Sequence, residues 1–386
     1  MNKKQIGLAV CYDTKNFGSQ LQVLATDYKI RELGYDTQII RYKKKPSLEL
    51  ILQTIPRFFN PMFVQGKLAT KKRMNELKRH PEILEKVVIR NKRFENFVEE
   101  HFSNLSKWYI GWRNLKKSSD DFDAFLCGSD QLWLPQNLGS HFYTLEFVSD
   151  NKPKLAYATS FGVSQIPWFQ KSRTRRYLNR FTALSTREIK GSSIIKKLTG
   201  RDAQVVCDPT LLMNSKEWDQ TIADKCLVKE PYVFCYFLGK NEQHRIIATD
   251  FAKQKGLKII TCPFLDNFVE VDINFGDQRM FDVDAADFVN LIRHAEYVLT
   301  DSFHGTVFSI LNHKQFITFN RFGNEAGSRN SRIDSLCELL SLQNRRFSGN
   351  IYEQLEETID YSNTDKLLAN IRNSSYMYLK EALESI

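Results

Sequence analysis

A histidine with a chemical use stands in the run Thr300-Asp301-Ser302-Phe303-His304-Gly305-Thr306, where the apolar stretch Tyr297 to Leu299 gives way to small, helix-opening residues. The pattern predicts a buried strand that delivers Asp301 and Ser302 to its carboxyl end, with Gly305 and Thr306 opening the next helix. His304 would then lie where backbone N–H groups converge, a place that favours a phosphate. An imidazole there can also carry a proton near neutral pH, which a capping group cannot. A histidine held for structural reasons alone fits the same run. Arg187 follows the apolar stretch Phe181 to Leu184 and precedes Glu188 at a helix start. A fixed guanidinium at that point can pair both oxygens of a carboxylate or phosphate, although a surface Arg–Glu ion pair would leave the same trace.

Two further loops carry polar residues behind apolar runs. Asn16-Phe17-Gly18-Ser19-Gln20 precedes a helical stretch, with Gly18 permitting close backbone approach; either a ligand hydroxyl or a simple helix cap accounts for it. Gly128-Ser129-Asp130-Gln131 and Trp133 follow Cys127. Carboxylates and amides pair sugar hydroxyls and an indole covers apolar C–H faces, so this loop suits a carbohydrate; a structural turn is the plain alternative. Neither G-x-G-x-x-G nor G-x-x-x-x-G-K-[ST] occurs, which argues against nicotinamide and P-loop chemistry. The Asp-x-Asp pairs Asp121/Asp123 and Asp282/Asp284 have the spacing of metal-nucleotide sites, against which Asp284 reads as a helix cap.

The elements that must position these residues alternate. Apolar runs at Ile6–Tyr12, Thr37–Tyr42, Ala124–Cys127, Leu155–Phe161 and Val205–Cys207 predict strands, with helical spacing from Leu21 to Tyr28 and over about 167–181 and 188–199. A second series begins after Pro231, with strands at Tyr232–Leu238, Lys258–Cys262, Tyr297–Thr300 and Phe316–Phe319 and helices over 242–255, 284–294 and after His304. Strand–helix alternation predicts an α/β chain of two open, mainly parallel sheets facing each other. The expected domains are 1–205 and 206–365, with a helix over 366–386 packing back. In open α/β sheets ligands bind outside the carboxyl ends of strands, where all four segments fall.

The chain has 386 residues, enough for two cores, and 42% hydrophobic with 26% charged residues marks a globular protein. Its seven cysteines are scattered without a C-x-x-C pair and read as buried free thiols, which makes a zinc site an outlier reading. The start Met-Asn-Lys-Lys-Gln has no signal-peptide core and no apolar run reaches the roughly 20 residues of a membrane span, so a cytoplasmic location is expected. Residues 43–117 hold 18 Lys or Arg against 7 Glu and no Asp, although the whole chain carries only +10. Residues 46–118, with Lys71-Lys72-Arg73 and aromatic residues such as Phe58, Phe59, Phe94, Phe97, Trp108 and Trp112, read as a basic helical insertion. Three fates fit it: a solvated face without a partner, attraction to an anionic membrane surface or a phosphate-bearing acceptor, or nucleic acid, the last disfavoured because no nucleic-acid module surrounds the charge.

Taken in order, Asn16-Phe17-Gly18-Ser19-Gln20, Cys127-Gly128-Ser129-Asp130-Gln131-Leu132-Trp133, Tyr157-Ala158-Thr159-Ser160-Phe161-Gly162, Ser185-Thr186-Arg187-Glu188, Cys207-Asp208-Pro209-Thr210-Leu211-Leu212 and Thr300 to Thr306 resemble the bacterial polysaccharide pyruvyltransferases, over nearly the whole chain. That resemblance implies two facing Rossmann-like domains in a GT-B-like arrangement. It also implies transfer of a pyruvyl group from phosphoenolpyruvate, as donor substrate, to a sugar of a surface polysaccharide or its polyprenyl-phosphate-linked precursor, without metal or cofactor and without nucleic acid. The family's donor site maps onto Arg187 and His304, with Ser302, Phe303, Gly305 and Thr306 completing the cradle. Some relatives have Arg where Ser302 stands, and Arg321 or Arg332 is the expected substitute. Asn16, Gly18, Ser19, Gln20, Ser129, Asp130, Gln131 and Trp133 would face the acceptor. A GT-B-like glycosyltransferase using a sugar nucleotide, or a non-catalytic glycan- or membrane-surface-binding protein, are the alternative readings.

Overall fold

A computed structural model describes residues 3–47, 63–68, 70, 75, 78–137, 141–266, 269–321 and 331–386. The first sheet consists of β1 (Gln5–Ala9), β2 (Asp36–Lys43), β3 (Leu105–Ile110), β4 (Ala124–Cys127) and β5 (Lys154–Ala156) in the order β3-β2-β1-β4-β5. Every pairing is parallel. All four residues of β4 are buried, as in a strand covered on both faces. Helix α1 (Phe17–Glu32) crosses from β1 to β2; Asn16 caps it by accepting from the Ser19 N–H at 3.1 Å, and Gly34 at φ 91° turns the chain out of it. Eleven successive residues of α1, Phe17 to Asp27, are buried because the helix is enclosed on several sides.

Helix α2 (Pro81–His101) leads into β3, which pairs with β2, and this corrects the expected insertion over 46–118. Residues 81–110 form an ordinary crossover of the first sheet, and the reason lies in aromatic residues of that stretch. Phe94 and Phe97 are buried, and Phe94 stacks on Phe17 at 5.0 Å. Lys71-Lys72-Arg73, Phe58 and Phe59 lie outside the described residues. After β5 come α3 (Lys171–Leu178) and a two-stranded ribbon, β6 (Ser185–Thr186) and β7 (Gln204–Val205), with α4 (Ile189–Thr199) between its strands. The short helix α5 (Pro209–Leu212) then packs on α1.

The second sheet repeats the first. Strands β8 (Tyr232–Tyr236), β9 (Lys258–Thr261), β10 (Gln278–Arg279), β11 (Tyr297–Thr300) and β12 (Gln315–Thr318) run in the order β10-β9-β8-β11-β12, again all parallel. Helices α6 (Glu242–Lys255), α7 (Ala285–Arg293), α8 (Phe303–Leu311) and α9 (Ser331–Leu339) belong to this half. Helix α10 (Tyr361–Glu384) returns to the first half, where the Tyr378 hydroxyl donates to the Ala156 carbonyl at 3.0 Å and Tyr35 to that of Leu383 at 2.9 Å.

Several strands stop short of the sequence expectation. β1 ends at Ala9 rather than Tyr12 and β5 at Ala156 rather than Phe161. Beyond those points the chain leaves the ladder to build edge loops, with Ala158 at φ 51° and Thr159 bridging both Asp130 and Thr186. The halves are clamped by Phe17, which stacks on Phe288 of α7 at 4.8 Å, and by Arg93, whose guanidinium reaches Asp284 at 2.7 Å and Asp287 at 2.6 Å. Asp284 also caps α7 by accepting from the Asp287 N–H at 2.9 Å. All seven cysteines are free; Cys226 is exposed and Cys11 half-buried, which corrects the expectation that all are interior. Among the described residues no helix is long and apolar enough to cross a membrane.

Candidate active site

In both sheets the strand order reverses beside the first strand, between β1 and β4 and between β8 and β11, and the segments that follow β1 and β11 meet where Gly18 packs on His304. On the second half, Asp301 staples the edge by accepting the N–H groups of Leu238 at 2.7 Å and Gly239 at 2.8 Å. Ser302 caps α8 through the Gly305 N–H at 3.3 Å. His304 lies in the first turn of that helix, 8% exposed. Gly305 is required by packing, since a β-carbon there would come within 2.6 Å of Thr300 Oγ1.

From the first half, β6 carries Arg187 into the same place. Its Nη1 pairs with Asp208 Oδ2 at 2.5 Å and its Nη2 lies 3.7 Å from Asp130 Oδ1. Asp208 sits on the segment joining the halves and caps α5. Its side chain is fully buried and also accepts from Ser129 Oγ at 2.9 Å and from the N–H and hydroxyl of Thr210 at 3.1 and 2.7 Å. Across from it, His304 Nε2 stands 3.7 Å from Asp208 Oδ1, an ion-pair distance and too long for a hydrogen bond. Asp130 adopts φ 84°, in the left-handed region, and is held by Ser19 Oγ at 2.9 Å. Backbone strain of that kind marks positions whose geometry matters.

Burial alone would raise the carboxyls of Asp208 and Asp130. For Asp208, His304 and Arg187 outweigh it, and for Asp130 the cations are Arg187, His304 and Arg332; both carboxyls end below the usual carboxylate range. Burial works the other way on Arg332, and with the like charge of Arg187 it pulls that guanidinium down to about 10. The Phe303 ring lies between the two arginines, 4.7 Å from Arg187 and 5.8 Å from Arg332. Four cationic-side nitrogens, Arg187 Nε and Nη2, His304 Nε2 and Arg332 Nε, are buried without a hydrogen-bond partner. Buried donors with no acceptor are costly unless a ligand supplies one, and donors of this type fit an anion. A cavity of about 240 Å³ opens beside the two arginines, lined by Arg187, Asp208 and Arg332 and by Leu211, Leu336 and Ile371 among its apolar walls.

The structure thus brings Arg187, Phe303, His304 and Arg332 together, with Asp130 and Ser19 at the border. Arg321 lies beside Gly239 and Asp301 on the same edge. Asn16 serves as the α1 cap, and Gln131 has its side-chain nitrogen buried without a partner next to Gly162. Other expected contacts are corrected by burial. Trp133 is fully buried against Phe161, Tyr177 and Phe181 and donates to the Tyr143 carbonyl, so its indole stacks in the core and offers no face to a sugar. Gln20 is likewise interior and donates to the Phe94 carbonyl at 3.0 Å. Ser129 faces Asp208, Thr306 bonds Ser302 O and Thr318 Oγ1, and Gly18 packs against the His304 ring. Asp208 stands in the run Cys207 to Leu212 with no role that the sequence alone gives it; locally it caps α5 through Thr210. Only the fold shows that its second oxygen serves Arg187.

The chain matches the family model described as Polysaccharide pyruvyl transferase over residues 67–321. No curated protein matches it. Among solved structures it is similar to one described as a UDP-N-acetylglucosamine 2-epimerase from Listeria monocytogenes, with TM-score 0.50 and 9% identity over 99% of this chain and 92% of that one. It is also similar to the UDP-GlcNAc 2-epimerase from Neisseria meningitidis bound to UDP-GlcNAc, at TM-score 0.45 and 12% identity over 96% and 99%. A third is an E. coli heptosyltransferase, at TM-score 0.37 and 8% identity over 86% and 98%. At such identities the first of these speaks for the fold alone, two α/β domains with parallel sheets in the GT-B-like arrangement.

Proposed function

The chain belongs to the polysaccharide pyruvyl transferase family, and from that premise we propose that it takes phosphoenolpyruvate as donor and converts two hydroxyls of a sugar into a pyruvate ketal, releasing phosphate. The acceptor is a surface polysaccharide or its polyprenyl-phosphate-linked precursor, met at the inner face of the membrane. The observation that carries the donor assignment is the cluster of unpartnered buried donors on Arg187, His304 and Arg332. Phosphoenolpyruvate brings a carboxylate and a phosphate, and both need cationic or N–H partners in fixed positions.

In the proposed reaction a proton reaches C3 of the donor while a sugar oxygen bonds C2. The C2–O bond to phosphate breaks, and the second sugar oxygen closes the ring. The two hydroxyl protons balance the one gained at C3 and the one taken by the phosphate. Arg187 and Arg332 hold the acidic groups, and His304 contacts the phosphate and moves the proton. Asp130 and Ser19, on the first half, border the acceptor. The competing reading, a glycosyltransferase using a sugar nucleotide, has only the shared fold behind it, and fold does not specify function.

Incubation with phosphoenolpyruvate and a panel of glycosides is expected to give phosphate release and a product heavier by pyruvate minus water. Release of a nucleoside diphosphate from a sugar nucleotide would establish the competing reading instead. Replacing His304 by Ala is expected to lower turnover by about 100-fold or more. Arg187→Lys should chiefly raise the KM for phosphoenolpyruvate, and an unchanged KM removes Arg187 from donor binding.

A further inference from the structure

The two nitrogens of the His304 ring have different surroundings, and the difference decides which one meets substrate. On the Nδ1 side lies Gly18, the second residue of α1. A β-carbon at Gly18 would overlap the imidazole, with Nδ1 its nearest atom, so the helix backbone itself closes that edge. On the Nε2 side lies Asp208 Oδ1 at 3.7 Å, and Nε2 is buried without a hydrogen-bond partner. Asp208 could take the Nε2 proton only with a free lone pair. A carboxylate has about four such sites. Thr210 N–H and Oγ1 use two on Oδ1, and Ser129 Oγ and Arg187 Nη1 use two on Oδ2.

We propose that His304 addresses the substrate anion through Nε2 alone, and that Gly18 and Asp208, one at each nitrogen, are the positioning residues that keep it so. Asp208 attracts a positively charged ring by proximity while its filled oxygens leave the Nε2–H to the ligand. Gly18 turns the other edge toward a helix N-terminus and prevents the ring from flipping. The two come from different places in the chain, the first crossover helix and the segment joining the halves. The ring on α8 is therefore gripped from outside the half that carries it. This rests on the reading of His304 as an anion contact and adds the atom and the parts that select it.

The test is histidine ¹⁵N NMR on the full chain, with His304 assigned by the signal lost in His304→Gln, titrated with phosphoenolpyruvate and separately with inorganic phosphate. The Nε2 resonance of His304 is expected to move with either ligand while Nδ1 stays. Movement of Nδ1, equal movement of both, or no movement of either overturns the proposal. Gly18→Ala supplies the second arm. The three atoms nearest the added β-carbon all belong to the His304 ring, so the ring must move to admit it. The expectation is a kcat reduced by about 100-fold in a protein that still melts in one cooperative transition, and the His304 signals shifted without ligand. Full kcat in Gly18→Ala overturns the role of Gly18, whatever the NMR shows. In Asp208→Asn, movement of Nε2 with phosphate is expected to weaken or vanish; a wild-type response overturns the role of Asp208. If Nε2 moves with phosphate and yet no sugar is pyruvylated, the reaction assignment fails while this inference stands. Turnover with a silent Nε2 is the reverse.

Discussion

Asp208 binds its four partners from complete burial, so its charge is held by the fold and in turn holds Arg187. Removing one partner of a buried ion pair leaves the other uncompensated and costs about 3–5 kcal/mol. Asp208→Asn is expected to lose about that much at neutral pH in urea unfolding, alongside its effect on the site. The sign of the pH dependence follows from the carboxyl's depressed pKa. Such a group contributes its full stability above the unfolded value of about 3.9, and loses it as pH falls below that toward the folded value. The stability gap between wild type and Asp208→Asn should therefore be constant from about pH 5 to 7 and narrow below about pH 4. A gap that widens on acidification would show that Asp208 is not charged in the folded protein.

Elements were more legible in the sequence than side-chain directions. Strands such as β4 and β11 were marked by continuous apolar runs, and the end of α6 by Gly256, because these signals are local. β3 was not visible: Leu105 to Ile110 pairs only on one side and leaves Trp108 half-exposed, so it carries little apolar signal. Trp133 misled for the opposite reason. Nothing local distinguishes an indole that binds sugar from one that stacks on Phe161. The arginines of α2 also looked like spare charge, yet Arg90 and Arg93 pair with Asp266, Asp284 and Asp287 of the other half, nearly 200 residues away. Any attraction to an anionic bilayer then does not rest on Arg90 and Arg93, and the basic residues of 48–77 can be tested apart from α2. Replacing 48–77 by a short Gly/Ser linker spares α2 and β3, and should abolish cosedimentation with anionic vesicles while leaving the fold intact. Undiminished cosedimentation would place the contact elsewhere.

At the scale of the whole molecule the site belongs to neither half, since Arg187 comes from one, His304 from the other and Asp208 from between them. A donor bound there stabilises both at once. At about 100 times its Kd, phosphoenolpyruvate should add about 2.7 kcal/mol to the unfolding free energy, seen as a single melting transition shifted upward by several degrees. In Arg187→Gln that shift should disappear; its persistence would mean that the donor binds elsewhere. The return of α10 to the first sheet has a different consequence, for the order in which the protein can be made. Leu368, Leu379 and Leu383 are buried in the same core as Ile6 and Leu8 of β1, and Tyr378 is bonded to β5. Domains generally fold as they leave the ribosome, amino-terminal part first. Here the first sheet emerges early but must wait with an apolar face uncovered until residues 361–384 have been translated, so the half synthesised first is completed last.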